Sequence, residues 1–247
     1  MTSTTPPAPP SSTGPSGPAV PRQRRGHDQG REEAFVTRIQ TLCADSGART
    51  ALRSGLRKDL DAVPRMHKLV APWLPQDHTP EDVQRAYYAV ASMIAAQPRF
   101  SFTTAQDNHQ VDDGTGTAAD EAPAEPGTPA RARRSRSSLG AAFAHAVGTG
   151  RDSQMREATA EARLHLLTRQ SLPGLHRHLP AAVSYLRQLD VDVDFAQLLS
   201  DLAHWRRHSG RIARRWLQDY YRLRAQADHD NAARRDEEEA VAPSAAD

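Results

Sequence analysis

The run from Asp194 to Arg224, DFAQLLSDLAHWRRHSGRIARRWLQDYYRLR, carries two overlapping patterns that together leave few folds open. Phe195, Leu198, Leu199, Leu202 and Trp205 recur at steps of three and four residues, and Ile212, Trp216, Tyr220 and Leu223 do so again after Ser209-Gly210. That spacing returns side chains to one face of an α-helix, so the run predicts two helices with buried stripes, parted at Ser209-Gly210. The second pattern is charge. Arg206, Arg207, Arg211, Arg214, Arg215, Arg222 and Arg224 are opposed here only by Asp194, Asp201 and Asp219. Helical phase places Arg211, Arg215 and Arg222 together on a face turned away from Ile212, Trp216 and Tyr220. A helix with one apolar side and one guanidinium side suits phosphate, whose oxygens match the guanidinium fork. A solvated basic face accounts for the same charges.

Helical periodicity also fills the earlier chain. Phe35, Ile39, Leu42 and Cys43 form a stripe that begins near Arg31 and stops at Gly47. A second helix over 48–56 carries Leu52 and Leu56 on one side and Arg49, Arg53 and Arg57 on another. A third starts at Pro64, where the missing amide donor does no harm, and passes through Met66, Leu69 and Val70 towards Trp73. The fourth has Thr79 as its expected N-cap and Pro80 at the first helical position. Glu81 and Asp82 then complement the helix dipole before Val83, Tyr87, Val90 and Ile94.

After residue 137, Ser138 is placed to cap a short helix bearing Leu139, Phe143 and Val147. Helices over 155–169 and 172–189 follow, with Pro180 expected to kink the second or to start a fresh helix. Asp194 caps the next helix. The fold class is therefore all-α: two small helical bundles, residues 30–100 and 138–226, joined by a long insertion. No stretch alternates as a strand does.

Composition decides what lies between and around the bundles. Of 247 residues, 18 are proline and 14 glycine, and these cluster at the start and the middle. Residues 1–29 read as a disordered Pro/Ser-rich tail, 101–137 as a disordered insertion, and 227–247 as a disordered acidic tail. The insertion runs from acids to Arg131, Arg133, Arg134 and Arg136, so its basic end is a candidate flap over a bound strand or a plain linker. Acidic stretches hold the net charge to +2. Cys43 is the single cysteine, which excludes a disulfide framework and a cysteine zinc site. With no apolar run of about eighteen residues and no signal-peptide pattern, the expectation is a soluble, cytoplasmic protein that does not enter membranes.

Few residues point to chemistry. Asp190, Asp192 and Asp194 alternate, but without the glycine and distal glutamate of a calcium loop. His204 and His208 have the step of two zinc ligands, yet arginines stand beside them. His176 and His178 cannot share a helical face. There is no phosphate loop, nucleophile elbow or carboxylate pair. Tyr88 and Tyr221 fall outside the core phase and are left for stacking on bases. The sequence therefore predicts a binding protein, not an enzyme, with no catalytic residue, no cofactor and no metal.

Taken together, these segments resemble the CasB family, the small subunit of the type I-E CRISPR effector complex Cascade. The resemblance extends from about Phe35 to Tyr221 apart from the insertion. It rests chiefly on VDFAQLLSDLAHW, a basic turn, and RRWLQDYY. TALRSGL, VPRMHKLVAPWLP, YYAVASMIAAQP and SSLGAAFA support it in the same order. It implies a non-catalytic all-α protein, present as two copies beside other Cascade subunits. Such a protein stabilises guide RNA and opened target DNA through backbone contacts, because base pairing reads the sequence. Carried onto this chain, the family's basic positions fall on Arg53, with Arg57 and Lys58 following, and on Lys68. In the second bundle they fall on Arg206, Arg207, Arg211, Arg214 and Arg215. Two other readings compete: a free helix-turn-helix regulator with residues 212–223 as recognition helix, and a metal-dependent nuclease built on the three aspartates.

Overall fold

The computed structural model describes residues 23–75, 79–98, 136–148 and 155–241. These residues contain eight α-helices and no strand. In chain order they are α1 (Gln23–Leu42), α2 (Ser46–Arg53), α3 (Pro64–Val70), α4 (Glu81–Ala95), α5 (Leu139–Ala146), α6 (Glu157–Thr168), α7 (Leu172–Gln188) and α8 (Phe195–Val241). The Pro/Ser-rich stretch to residue 22, most of the expected insertion and the last residues from 242 lie outside the described residues. So do the side chains of Arg22, Arg24, Arg25, Arg131, Arg133 and Arg134.

The apolar stripes become the core. Phe35, Ile39, Leu52, Met66, Val90 and Ile94 of α1 to α4 are fully buried, as are Phe143, Leu164, Leu175, Leu179, Leu199, Leu202, Trp216 and Tyr220 of α5 to α8. Phe35 packs edge-on against Tyr87 at 4.8 Å and against Trp73 at 6.1 Å between ring centres. Trp205 and Trp216, from the two halves of the charged run, meet at 5.2 Å. Helix α8 joins the two groups of helices, since it packs on α1 and α4 as well as on α5, α6 and α7. Buried residues from both sides of the insertion thus form one continuous hydrophobic cluster.

Helix α5 presses hardest on α8. A Cβ added at Gly140 would run into the backbone carbonyl of Trp216, so only glycine permits this close approach. Ser138 caps α5 through the amide of Ala141 at 3.3 Å, and Asp194 caps α8 through Gln197 at 2.8 Å, both as the sequence predicts.

Several boundaries differ from expectation. The break in the charged run lies at His208 (φ −136°, ψ 23°), one residue before Ser209, and the two helical halves of α8 that it separates fold back on each other, since Trp216 Nε1 donates to Asp201 at 2.7 Å. Helix α7 passes through the buried Pro180 without ending there. Pro80, not Thr79, occupies the N-cap position of α4 and makes no side-chain cap; the Thr79 hydroxyl donates to the carbonyl of Pro75 instead. Helix α1 begins at Gln23 and α8 continues to Val241, both beyond the last apolar residues of their stripes. Alanine, arginine, glutamine and glutamate favour helix on propensity alone, and the Arg224–Asp228 ion pair at 3.1 Å adds a helix-surface contact.

Candidate nucleic-acid interface

The arginines of the charged run divide by partner. Arg207, Arg211 and Arg214 are exposed, Arg207 just before the break at His208 and the other two after it, beside the buried Ile212, Trp216 and Tyr220. Arg206 is also exposed but donates to Asp82 at the start of α4 at 3.0 Å, tying the two helix groups together at the surface. Arg222 is paired to Asp219 one turn earlier at 2.6 Å. Arg224 is buried, where it donates to Glu157, to Asp228 and to the carbonyl of Val147.

Arg215 differs most from its sequence reading. Its guanidinium, expected to share the outward face with Arg211, is ion-paired to Asp201. Asp201 is almost fully buried and also accepts from Trp216 Nε1 at 2.7 Å and Gln197 Nε2 at 2.8 Å. Burial pushes the Asp201 carboxyl above its usual range, opposed by Arg215 and the two neutral donors. Arg215 thus offers only the half of its side chain that remains exposed.

Between α6 and α8, Arg214 lines an open depression together with Arg169, Arg222, His165 and Tyr221. The Tyr221 ring is 44% exposed, enough to offer a face to a base, and its hydroxyl lies 3.0 Å from His165 Nε2. Cations interleaved with an exposed aromatic ring are what a single strand uses for phosphate and stacking contacts. Tyr88, the other tyrosine left for stacking by helical phase, is buried and holds His67 Nδ1 at 2.6 Å. Arg169 and His165 had no signal of their own in the sequence, because α6 reaches this depression only through packing.

In the first group, Arg53 closes α2 and is exposed, and Lys68 is exposed on α3. Arg57 lies beyond the end of α2, so it does not continue the Arg49–Arg53 face. Its φ of 61° is left-handed, a conformation that costs a side-chain-bearing residue about 1–2 kcal/mol. Arg49 is turned inward and donates to the carbonyls of Ala95 and Gln97, closing the end of α4 at 3.1 and 2.5 Å. Arg57 and Lys58 line a cleft with His176 and Arg177 of α7, so cations of both groups converge there. Arg53 and Lys68 are not part of its lining.

Arg136, at the basic end of the insertion, is committed. It donates to Glu32 at 2.6 Å and to Glu33 at 3.2 Å, and both it and Glu32 are largely buried. The three aspartates of the metal reading also serve separate ends. Asp190 takes a left-handed φ of 57°, Asp192 accepts from Arg187 at 3.3 Å, and Asp194 caps α8 while holding the Ser137 amide at 3.1 Å. His204 Nδ1 donates to the carbonyl of Ser200 at 2.8 Å, and the ring stacks on His208 at 6.5 Å. No group of three or more histidine, cysteine or carboxylate side chains among the described residues could hold a metal ion.

A family model described as CRISPR-associated protein Cse2 matches residues 48–221. The chain belongs to the Cse2 family. The cations carried over from the family resemblance, from Arg53 to Arg215, fall inside that span, and Tyr221 closes it. All of α1 and the end of α8 fall outside. The fold agrees with solved structures. One, described as a CRISPR RNA-guided surveillance complex, contains a chain 32% identical, with 83% of this chain and 99% of that one covered and a TM-score of 0.64. Another, described as the same kind of complex before nicking, is also 32% identical, with 82% and 98% covered and a TM-score of 0.65. The crystal structure of CasB from Thermus thermophilus shares the fold at 23% identity, with 77% and 97% covered and a TM-score of 0.51. Among curated proteins, none matches the chain significantly.

Proposed function

We propose that this Cse2 chain is a non-catalytic small subunit of an RNA-guided CRISPR surveillance complex, present as two copies and acting in the cytoplasm. It holds guide RNA and opened target DNA by their backbones while other subunits and base pairing supply sequence selection. The observation that carries the proposal is the solvent side of α8. Arg207, Arg211 and Arg214 remain exposed there after the internal carboxylates have claimed Arg215, Arg222 and Arg224. The similarity to chains of surveillance complexes supports the partner class. The separate duties of Asp190, Asp192 and Asp194 disfavour the nuclease reading.

Charge reversal tests the strand-holding face. Arg211→Glu with Arg214→Glu should weaken binding of unrelated single strands to a similar degree, and should reduce the slope of log affinity against log salt by about one for each phosphate no longer neutralised. Unchanged affinity and slope would remove the face from consideration. Sequence-selective duplex binding by the chain alone would favour the regulator instead.

A further inference from the structure

A second basic cleft lies between the helix groups, away from the exposed face of α8. The turn after α2, the middle of α4 and the first turns of α7 enclose a cleft of about 360 Å³. That is the lower end of the range for small-ligand pockets, larger than a lone phosphate needs and near the size of one nucleotide. Four cations line it, Arg57, Lys58, Arg85 and Arg177, against the single carboxylate of Asp59, which is already ion-paired to Arg85. Arg57, Lys58 and Arg177 are exposed and have no carboxylate partner among the described residues.

Two features of the backbone and side chains single the cleft out from an ordinary basic surface. Nε2 of His176, a lining residue, is buried with no hydrogen-bond partner among the described residues. Buried ring nitrogens are rarely left this way, because the desolvated group loses its water without replacement. The turn that presents Arg57 and Lys58 is also held in an unfavourable left-handed conformation at Arg57. Gly55 sits under Met66 with no room for a side chain, which fixes that turn against α3 and α4. Strain of this kind persists where the surroundings over-determine it, and it recurs at ligand clamps. The rest of the lining includes Leu60, Val63, Pro173 and Pro180, an apolar wall beside a cationic rim.

We infer that this cleft is a binding site for one phosphorylated nucleoside unit, its phosphate held by Lys58, Arg57 and Arg177 and its sugar or base against the proline and leucine wall. The phosphate chemistry stands by itself; only the choice of a strand over a free nucleotide as its source rests on the strand-holding reading.

Calorimetry on the full chain with thymidine 5′-monophosphate, thymidine and a short oligothymidylate tests it. The monophosphate binds and thymidine does not, and Lys58→Glu with Arg177→Glu weakens the monophosphate at least ten-fold with unchanged helical circular dichroism. Both substituted side chains are exposed, so the fold has no reason to change. Arg211→Glu with Arg214→Glu leaves the monophosphate untouched, which separates this site from the α8 face. An oligothymidylate that binds at least ten-fold tighter than the monophosphate, and forfeits that advantage in the cleft variant, identifies a strand as the source; equal affinity identifies a free nucleotide. No heat with the monophosphate, or equal affinity in wild type and cleft variant, overturns the site. Intact oligothymidylate binding in the α8 variant counts against the α8 face alone.

Discussion

At the scale of single residues, buried polar groups decide what the neighbouring arginines can do. Asp201 satisfies the indole N–H of Trp216 and the guanidinium of Arg215 at once, inside the contact between Trp205 and Trp216. Asp201→Ala leaves a buried N–H without a partner and should destabilise the fold by about 1–3 kcal/mol, read as a lower denaturant midpoint with unchanged slope. Arg215→Ala should cost less, because its guanidinium is partly in water.

His176 supplies a pH dependence. Burial lowers its pKa from 6.5 to about 4, with Arg85 lowering it further and Asp82 opposing. The unfolded chain therefore takes up this proton at higher pH than the folded one does. The stability that His176 contributes is complete above pH 6.5 and is lost as pH falls towards 4. That gap corresponds to roughly 3 kcal/mol. Denaturation midpoints should fall across this window in wild type, and His176→Gln should flatten that part of the curve. An unchanged curve in the variant would show that other groups set it.

At the scale of elements, α8 does more than its two stripes suggest. Arg206 before the break reaches Asp82 of α4, Trp216 and Tyr221 after it meet α5 and α6, and the break at His208 lets the two halves serve both groups. The close crossing with α5 depends on Gly140. Gly140→Ala adds favourable helix propensity, yet it must push two backbones apart. The overpacking cost, about 1–3 kcal/mol or more, should outweigh the gain of roughly 1 kcal/mol. Thermal unfolding of the variant reads the balance directly. Beyond Arg224 the opposite holds. From Ala225 to Glu237 no described side chain is buried, so truncation after His229 should leave the melting temperature almost unchanged.

At the scale of the whole molecule, the chain is closed by contacts between segments far apart in sequence. Arg136, just before α5, pairs with Glu32 and Glu33 of α1, and Arg206 pairs with Asp82 of α4. In the first of these, Glu32 is buried, and burial raises its pKa despite Arg136. Arg136→Met strands that carboxylate and should destabilise by about 3 kcal/mol, whereas adding Glu32→Met should recover much of the loss. A double-mutant cycle with no coupling would show that the clasp contributes nothing. The exposed Arg206–Asp82 pair should contribute little by comparison.

The helices and their buried stripes were legible from the sequence because helical periodicity is a local property: Phe35, Ile39, Leu199 and Trp216 announce their faces through neighbours three and four residues away. So were the caps at Ser138 and Asp194 and the family resemblance, which rests on ordered local segments. The reach of α8 past its last apolar residue was hidden, since propensity without a stripe looks like a polar tail. Which arginines stay free, that Tyr88 and Asp201 lie inside, and that Arg57 and Lys58 meet His176 and Arg177 in one cleft were settled only by the tertiary structure. Ion pairing and burial depend on distance through space between residues that are remote along the chain, and no spacing within a helix encodes that distance.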